Sequence, residues 1–106
     1  MEIINLSTEK GQLNNNVFDY GEIKRNTDTK IQILLKSNDP LQHKSISSSC
    51  GCTGVETTET DGNLIIKIGY NSNLLGSFNK KLTEIYIIGG QKKELQITIK
   101  GTVKNG

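Results

Sequence analysis

The chain has 106 residues, of which 33% are hydrophobic and 5% aromatic, with no tryptophan and no alanine. That length supports one domain with a modest core and excludes a second. Thirteen Lys and Arg against eleven Asp and Glu give a net charge of +2, too balanced for a nucleic-acid-binding surface, and no apolar run approaches a membrane span.

Without the best helix former, and with eleven Gly and many Ile and Thr, a helical bundle is excluded in favour of strands. The start, Met1-Glu2-Ile3-Ile4-Asn5-Leu6, has an acid where a secretory signal needs basic residues, and lacks its apolar stretch of about 7–15 residues. No signal peptide is predicted, so synthesis in a cytoplasm is expected.

Taken in order, Glu2–Leu6 and Val17–Tyr20 are short strand candidates. Ile31, Ile33 and Leu35 alternate with polar Lys30, Gln32 and Lys36, and His43–Ser49 is a further short candidate. Leu64, Ile66, Ile68 and Tyr70 make another alternating set. Thr83, Ile85 and Ile87 against Leu82, Glu84, Tyr86 and Ile88 predict a strand with both faces partly covered. Leu95, Ile97, Ile99 and Val103 form the cleanest period of two. Turn chemistry separates these runs at Asn14–Asn16, Asn26–Asp28, Ser37–Pro40, Asp61–Asn63 and Gly89-Gly90. Asp61-Gly62 and Gly89-Gly90 predict tight hairpins. About seven strands at this spacing predict an all-β fold, a small antiparallel immunoglobulin-like sandwich in a single domain over residues 1–106.

One segment is too particular for ordinary strand or turn: Ser49-Cys50-Gly51-Cys52-Thr53. Extended side chains two residues apart sit too far from each other for a disulfide, so Cys50 and Cys52 are expected to be unbonded. A closed zinc site needs four ligands, and the chain offers only His43 beyond the two thiols. No metal is expected. A redox-active thiol needs basic neighbours to lower its pKa, and Lys44 is the nearest in sequence. The expected role is structural, two small side chains packed at a strand end where Gly51 permits an unusual backbone angle.

The segment sits in a longer order: Val17-Phe18-Asp19-Tyr20-Gly21-Glu22-Ile23, Ser37-Asn38-Asp39-Pro40-Leu41, the cysteine motif, Gly76-Ser77-Phe78-Asn79-Lys80 and Leu95 to Val103. This order resembles a bacterial and phage domain family of unknown function with a Ser-Cys-Gly-Cys-Thr signature. That family is similar to the Hydin-type and major-sperm-protein-type immunoglobulin-like domains. The resemblance implies the same sandwich, with Ser49, Cys50, Gly51, Cys52 and Thr53 as structural signature residues. The chain departs from the family in its Asp61-Gly62-Asn63 turn and in having Pro40 as its single proline.

No catalytic constellation emerges. His43 as a general base needs a nucleophile and an orienting acid, and only serines lie near it in sequence, so it is expected to be a solvated loop histidine. Carboxylates are scattered singly, and Gly89-Gly90 lacks the helix and Lys-Ser/Thr pair of a phosphate loop. Lys80-Lys81 and Lys92-Lys93 are expected at solvated strand ends, as guards of exposed edges. Leu74, Leu75 and Phe78 either cap the core or project as a contact.

The expectation is therefore a non-enzymatic structural or interaction protein without cofactor or small-molecule substrate. An auxiliary or decoration protein of a tailed-phage virion, on the capsid, leads. Its partners are then protein copies of the larger assembly, with no nucleic acid or membrane. The candidate interface comprises Leu74, Leu75, Phe78, Gly89, Gly90, Lys92 and Lys93. An envelope or scaffold module, and a cytoplasmic thiol or metal protein using the cysteines, are the alternatives.

Overall fold

The computed structural model describes residues Met1–Gly106. Nine strands follow one another: β1 (Glu2–Asn5), β2 (Gln12–Asn14), β3 (Val17–Lys24), β4 (Ile31–Lys36), β5 (Leu41–Ser48), β6 (Thr53–Thr60), β7 (Asn63–Tyr70), β8 (Gly76–Ile88) and β9 (Gln91–Lys104). They form a four-stranded sheet in the order β1-β4-β7-β6 and a five-stranded sheet in the order β2-β3-β9-β8-β5. The architecture is an all-β sandwich.

The period-two patterns account for its interior. Ile31, Ile33 and Leu35 of β4 and Leu64, Ile66, Ile68 and Tyr70 of β7 face Leu95, Ile97, Ile99 and Val103 of β9 in one core. Three two-residue hairpins hold the register, at Asn15-Asn16, Asp61-Gly62 and Gly89-Gly90. In each, both central residues have positive φ, the condition under which a two-residue turn matches the twist of its strands. Asn, Asp and Gly are the residues that tolerate that region.

Two features depart from the expected seven-stranded antiparallel sandwich. β3 runs parallel to β9, because the chain crosses between the sheets several times before its last strand lies beside the third. β2 and β6 are additional strands. β6 has Val55 as its sole large apolar residue, and Thr53 and Thr57 complete its inward side. A pattern of Thr and Glu carries no apolar alternation, yet β-branched Thr suits a pleated strand.

At one end of the sandwich lie the turn before β6, the β7–β8 loop and the β3–β4 loop, tied by Asn71 N–H to Cys52 O (2.9 Å) and Asn26 N–H to Ser72 O (3.1 Å). Tyr20 locks this end from inside. Its hydroxyl donates to Thr29 O at 2.7 Å, and Thr29 Oγ1 in turn donates to Tyr70 O at 2.6 Å. Burial, and secondarily the Asp28 charge, push the Tyr20 phenol well above its usual range, so it remains a donor. Tyr20→Phe leaves the Thr29 carbonyl unpaired and is expected to lower unfolding free energy by about 1–2 kcal/mol, read from urea denaturation.

Candidate functional site

The Ser49–Thr53 segment is a folded turn and not an extended strand end. Thr53 N–H donates to Cys50 O at 3.2 Å, which closes a four-residue turn. The Cys50 and Cys52 Cα atoms come to 5.2 Å and the two sulfurs are joined in a disulfide. The expectation of two unbonded cysteines is thus corrected: it assumes extended backbone, whereas the turn brings the pair within ordinary disulfide reach.

Each residue of the Ser49–Thr53 segment has a place. Ser48 Oγ, just before it, donates to Cys50 O at 2.6 Å. Ser49 is fastened to β8 twice, its N–H donating to Lys81 O at 2.9 Å and its Oγ accepting the Lys81 N–H at 3.0 Å. Cys52 packs against the core, while a side chain at Gly51 would meet nothing within 4 Å. Thr53 is buried at the start of β6.

Asn71 connects this turn to the β7–β8 loop, where Leu74 and Leu75 are 47% and 53% exposed. They project from the fold and do not cap it. The loop beneath them is pinned by Ser72 Oγ donating to Thr27 O (2.7 Å) and Asn73 N–H donating to Asn71 Oδ1 (3.0 Å). The turn and the leucine pair, far apart in sequence, are thereby brought to one end.

The remaining interface candidates are not with them. Phe78 is buried, its ring stacked on Tyr70 with centroids 3.8 Å apart, so it is core and not contact. Its inward direction follows from sharing parity with buried Leu82, Glu84 and Tyr86 on β8, and Gly101 opposite it leaves space for the ring. Gly89, Gly90, Lys92 and Lys93 are exposed around the β8–β9 hairpin, at the far end of β8 from Gly76. Lys80-Lys81 lie within β8 and not at its end, because the strand extends well before Leu82.

His43 is not the solvated loop residue that its neighbours in sequence suggest. It lies on β5, half-buried, beside a bulge at Lys44 that interrupts the register with β8. A bulge re-aims the side chains around it. The His43 ring Nδ1 lies 2.7 Å from Glu84 Oε2, and the Glu84 carboxylate is 1% exposed. Thr57 Oγ1 of the opposite sheet donates to Glu84 Oε1 at 2.6 Å. Against an ionised carboxylate, which only accepts, the facing ring nitrogen is the donor. The His43 backbone N–H is taken by Glu59 Oε1 at 2.6 Å.

Sequence reasoning misses Glu84 as a partner. The signal is its parity: it shares a face with Leu82 and Tyr86, both buried, so an acid in phase with core residues has to find an internal donor. The assembled group is an imidazole oriented by a carboxylate that is itself anchored across the sheets. Its visible work is to join β5 and β8 to β6.

On the outer face of the four-stranded sheet, Gly54 and Gly69 sit directly opposite each other and leave an open groove whose charged border is mixed, with Lys10, Lys30 and Lys67 against Glu9, Asp28 and Glu56. The Lys30 backbone N–H, and next the Lys10 charge, hold the Asp28 carboxyl below its ordinary range.

A family model described as "Protein of unknown function (DUF1573)" matches residues 12–103, thus including the cysteine turn, the leucine loop and Glu84. Among solved structures, the Vibrio cholerae VesB protease is similar with a TM-score of 0.54 at 9% identity, over 81% of this chain. The match spans 30% of the protease chain, and at that identity the likeness concerns the fold. None of the curated proteins matches the chain.

Proposed function

The chain belongs to the DUF1573 family, and we propose that it is a non-enzymatic docking module, an accessory component of a larger protein assembly such as a phage capsid. The observation that carries this reading is the projecting Leu74-Leu75 pair on a loop held before them at Ser72 and Asn73 and after them where Gly76 pairs with Val103 at the start of β8. Two leucines held out by a fixed loop offer apolar area at about 25 cal/mol per Å². Little ordering then remains to offset that gain on binding.

Small contacts of this kind hold best when symmetry repeats them over many copies. The immunoglobulin-like relationship belongs to the same proposal; the two-sheet sandwich supports it, and such sandwiches commonly present loops at their ends. The Gly89–Lys93 hairpin at the other end supplies a second, basic contact.

The test is Leu74→Asp combined with Leu75→Asp in the cells that naturally make the protein. The wild-type chain is expected to co-sediment with a large particle on a sucrose gradient, and the folded double variant to stay with free protein. Wild-type chain found only among free protein would overturn the reading. A double variant that still co-sediments in full would remove the leucine pair from it.

A further inference from the structure

We propose that the Cys50–Cys52 disulfide is a reversible thiol–disulfide exchange site. Cys50 is its exchanging sulfur, Cys52 the resolving one, and the partner is a low-molecular-weight or protein thiol. This stands apart from the docking reading and does not depend on it.

The bond joins residues two apart, the shortest loop that leaves a residue between them. A cross-link restrains the unfolded chain in proportion to the logarithm of the loop it closes, so this one contributes little as a staple. The turn also has its own fastenings, from Thr53 and Asn71 N–H to the Cys50 and Cys52 carbonyls and from Ser49 to Lys81. These bonds do not involve sulfur, so they survive reduction and keep the two thiols together, ready to close again.

The two sulfurs are not equivalent. The Cys52 side chain packs against the core, whereas Cys50 is not part of that packing. The Cys52 backbone N–H donates to Cys50 Sγ at 3.2 Å, whereas Cys52 Sγ has only the Thr53 hydroxyl at the longer distance of 3.9 Å. A donor on sulfur favours its thiolate, so in the reduced protein Cys50 is the better nucleophile. The space beside Gly51 is open, which leaves room for a reactant to approach the turn.

In the reductive direction, an incoming thiolate attacks Cys50 Sγ and forms a mixed disulfide with it. The Sγ–Sγ bond breaks, its electron pair leaves on Cys52, and that thiolate takes a proton from water. A second thiolate then attacks the partner's sulfur in the mixed disulfide and expels the Cys50 thiolate, which is protonated in turn. The pair gains two electrons and two protons, and the two partner thiols become one disulfide. Oxidation is the reverse, with Cys50 attacking a partner disulfide and Cys52 displacing the partner.

Glutathione is the probe. Millimolar reduced glutathione is expected to open the bond in the native full-length chain, with its β-sheet circular dichroism retained, and oxidised glutathione to close it again. In the reduced chain, limiting iodoacetamide at neutral pH followed by peptide mass mapping is expected to label Cys50 about tenfold faster than Cys52. Cys52→Ser treated with oxidised glutathione is expected to retain it on Cys50, while wild type releases it by closing the ring. A bond that opens only where the chain unfolds, a reduced pair that never recloses, or equal labelling of the two sulfurs would each overturn the proposal. Should Cys52→Ser fail to fold, the wild-type opening, closure and labelling order decide it.

Discussion

Phe78→Ala is expected to lower the unfolding free energy by about 3–5 kcal/mol, the range for removing a fully packed aromatic ring. The ring is 6% exposed and belongs to the five-stranded sheet. It stacks at 13° on Tyr70 of the four-stranded sheet and lies 5.8 Å from Tyr20, which itself meets Phe18 edge-on at 4.9 Å. Four of the chain's five Phe and Tyr residues are in this group, so one deletion removes a contact shared by most of the aromatic surface.

The cavity cannot close readily, because β9 opposite contributes only Gly101 there, with Tyr20 Cβ and Gly21 O about the glycine. Urea denaturation followed by circular dichroism checks the prediction. A shift in the midpoint at unchanged slope is the expected form. Loss of assembly at unchanged stability would instead return Phe78 to the interface, the opposite of what its burial implies.

The second large effect concerns the buried carboxylate, and here the two partners are expected to respond unequally. Glu84 is 1% exposed in the native fold; His43→Ala removes one of its two side-chain partners and leaves Thr57 as the remaining donor, and a buried carboxylate stripped of a partner is costly. A loss of about 3 kcal/mol is expected. Glu84→Gln keeps the shape; its carbonyl oxygen accepts from the His43 ring and its NH2 donates to the Thr57 hydroxyl, which turns to accept, so both retain a partner and the loss is expected near ~1 kcal/mol. Unfolding curves of the two variants at one pH provide the comparison. Equal losses would mean that the carboxylate is stabilised by other groups and that His43 is incidental to it.

The strands with alternating apolar residues are legible from their spacing. β4, β7 and the later part of β9 bury the residues that spacing indicates, and the Asp61-Gly62 and Gly89-Gly90 hairpins fall where their chemistry places them. Such features are local: an amphipathic strand and a positive-φ turn depend on neighbours within a few residues. β6 is not legible in this way, since Thr and Glu along a strand look the same whether the strand closes a sandwich or borders a loop. The parallel pairing of β3 with β9 is equally hidden, because it joins segments about eighty residues apart and no local pattern records the direction of a partner.

At the candidate site the same division appears. The singularity of Ser49-Cys50-Gly51-Cys52-Thr53 and the out-of-place apolarity of Leu74-Leu75 stand out in the residue order alone. Three facts need the fold: the turn pairs the cysteines, the leucines stand beside that turn, and Phe78, four residues beyond Leu74, points inward. Composition and period determine which residues must leave water, since burial of apolar area is the dominant and non-directional force. Which of them meet, and which polar groups are caught between the sheets with them, is decided by hydrogen-bond geometry and packing across long sequence separations. His43 and Glu84 are 41 residues apart. Only the β5–β8 register, with its bulge, lays one against the other.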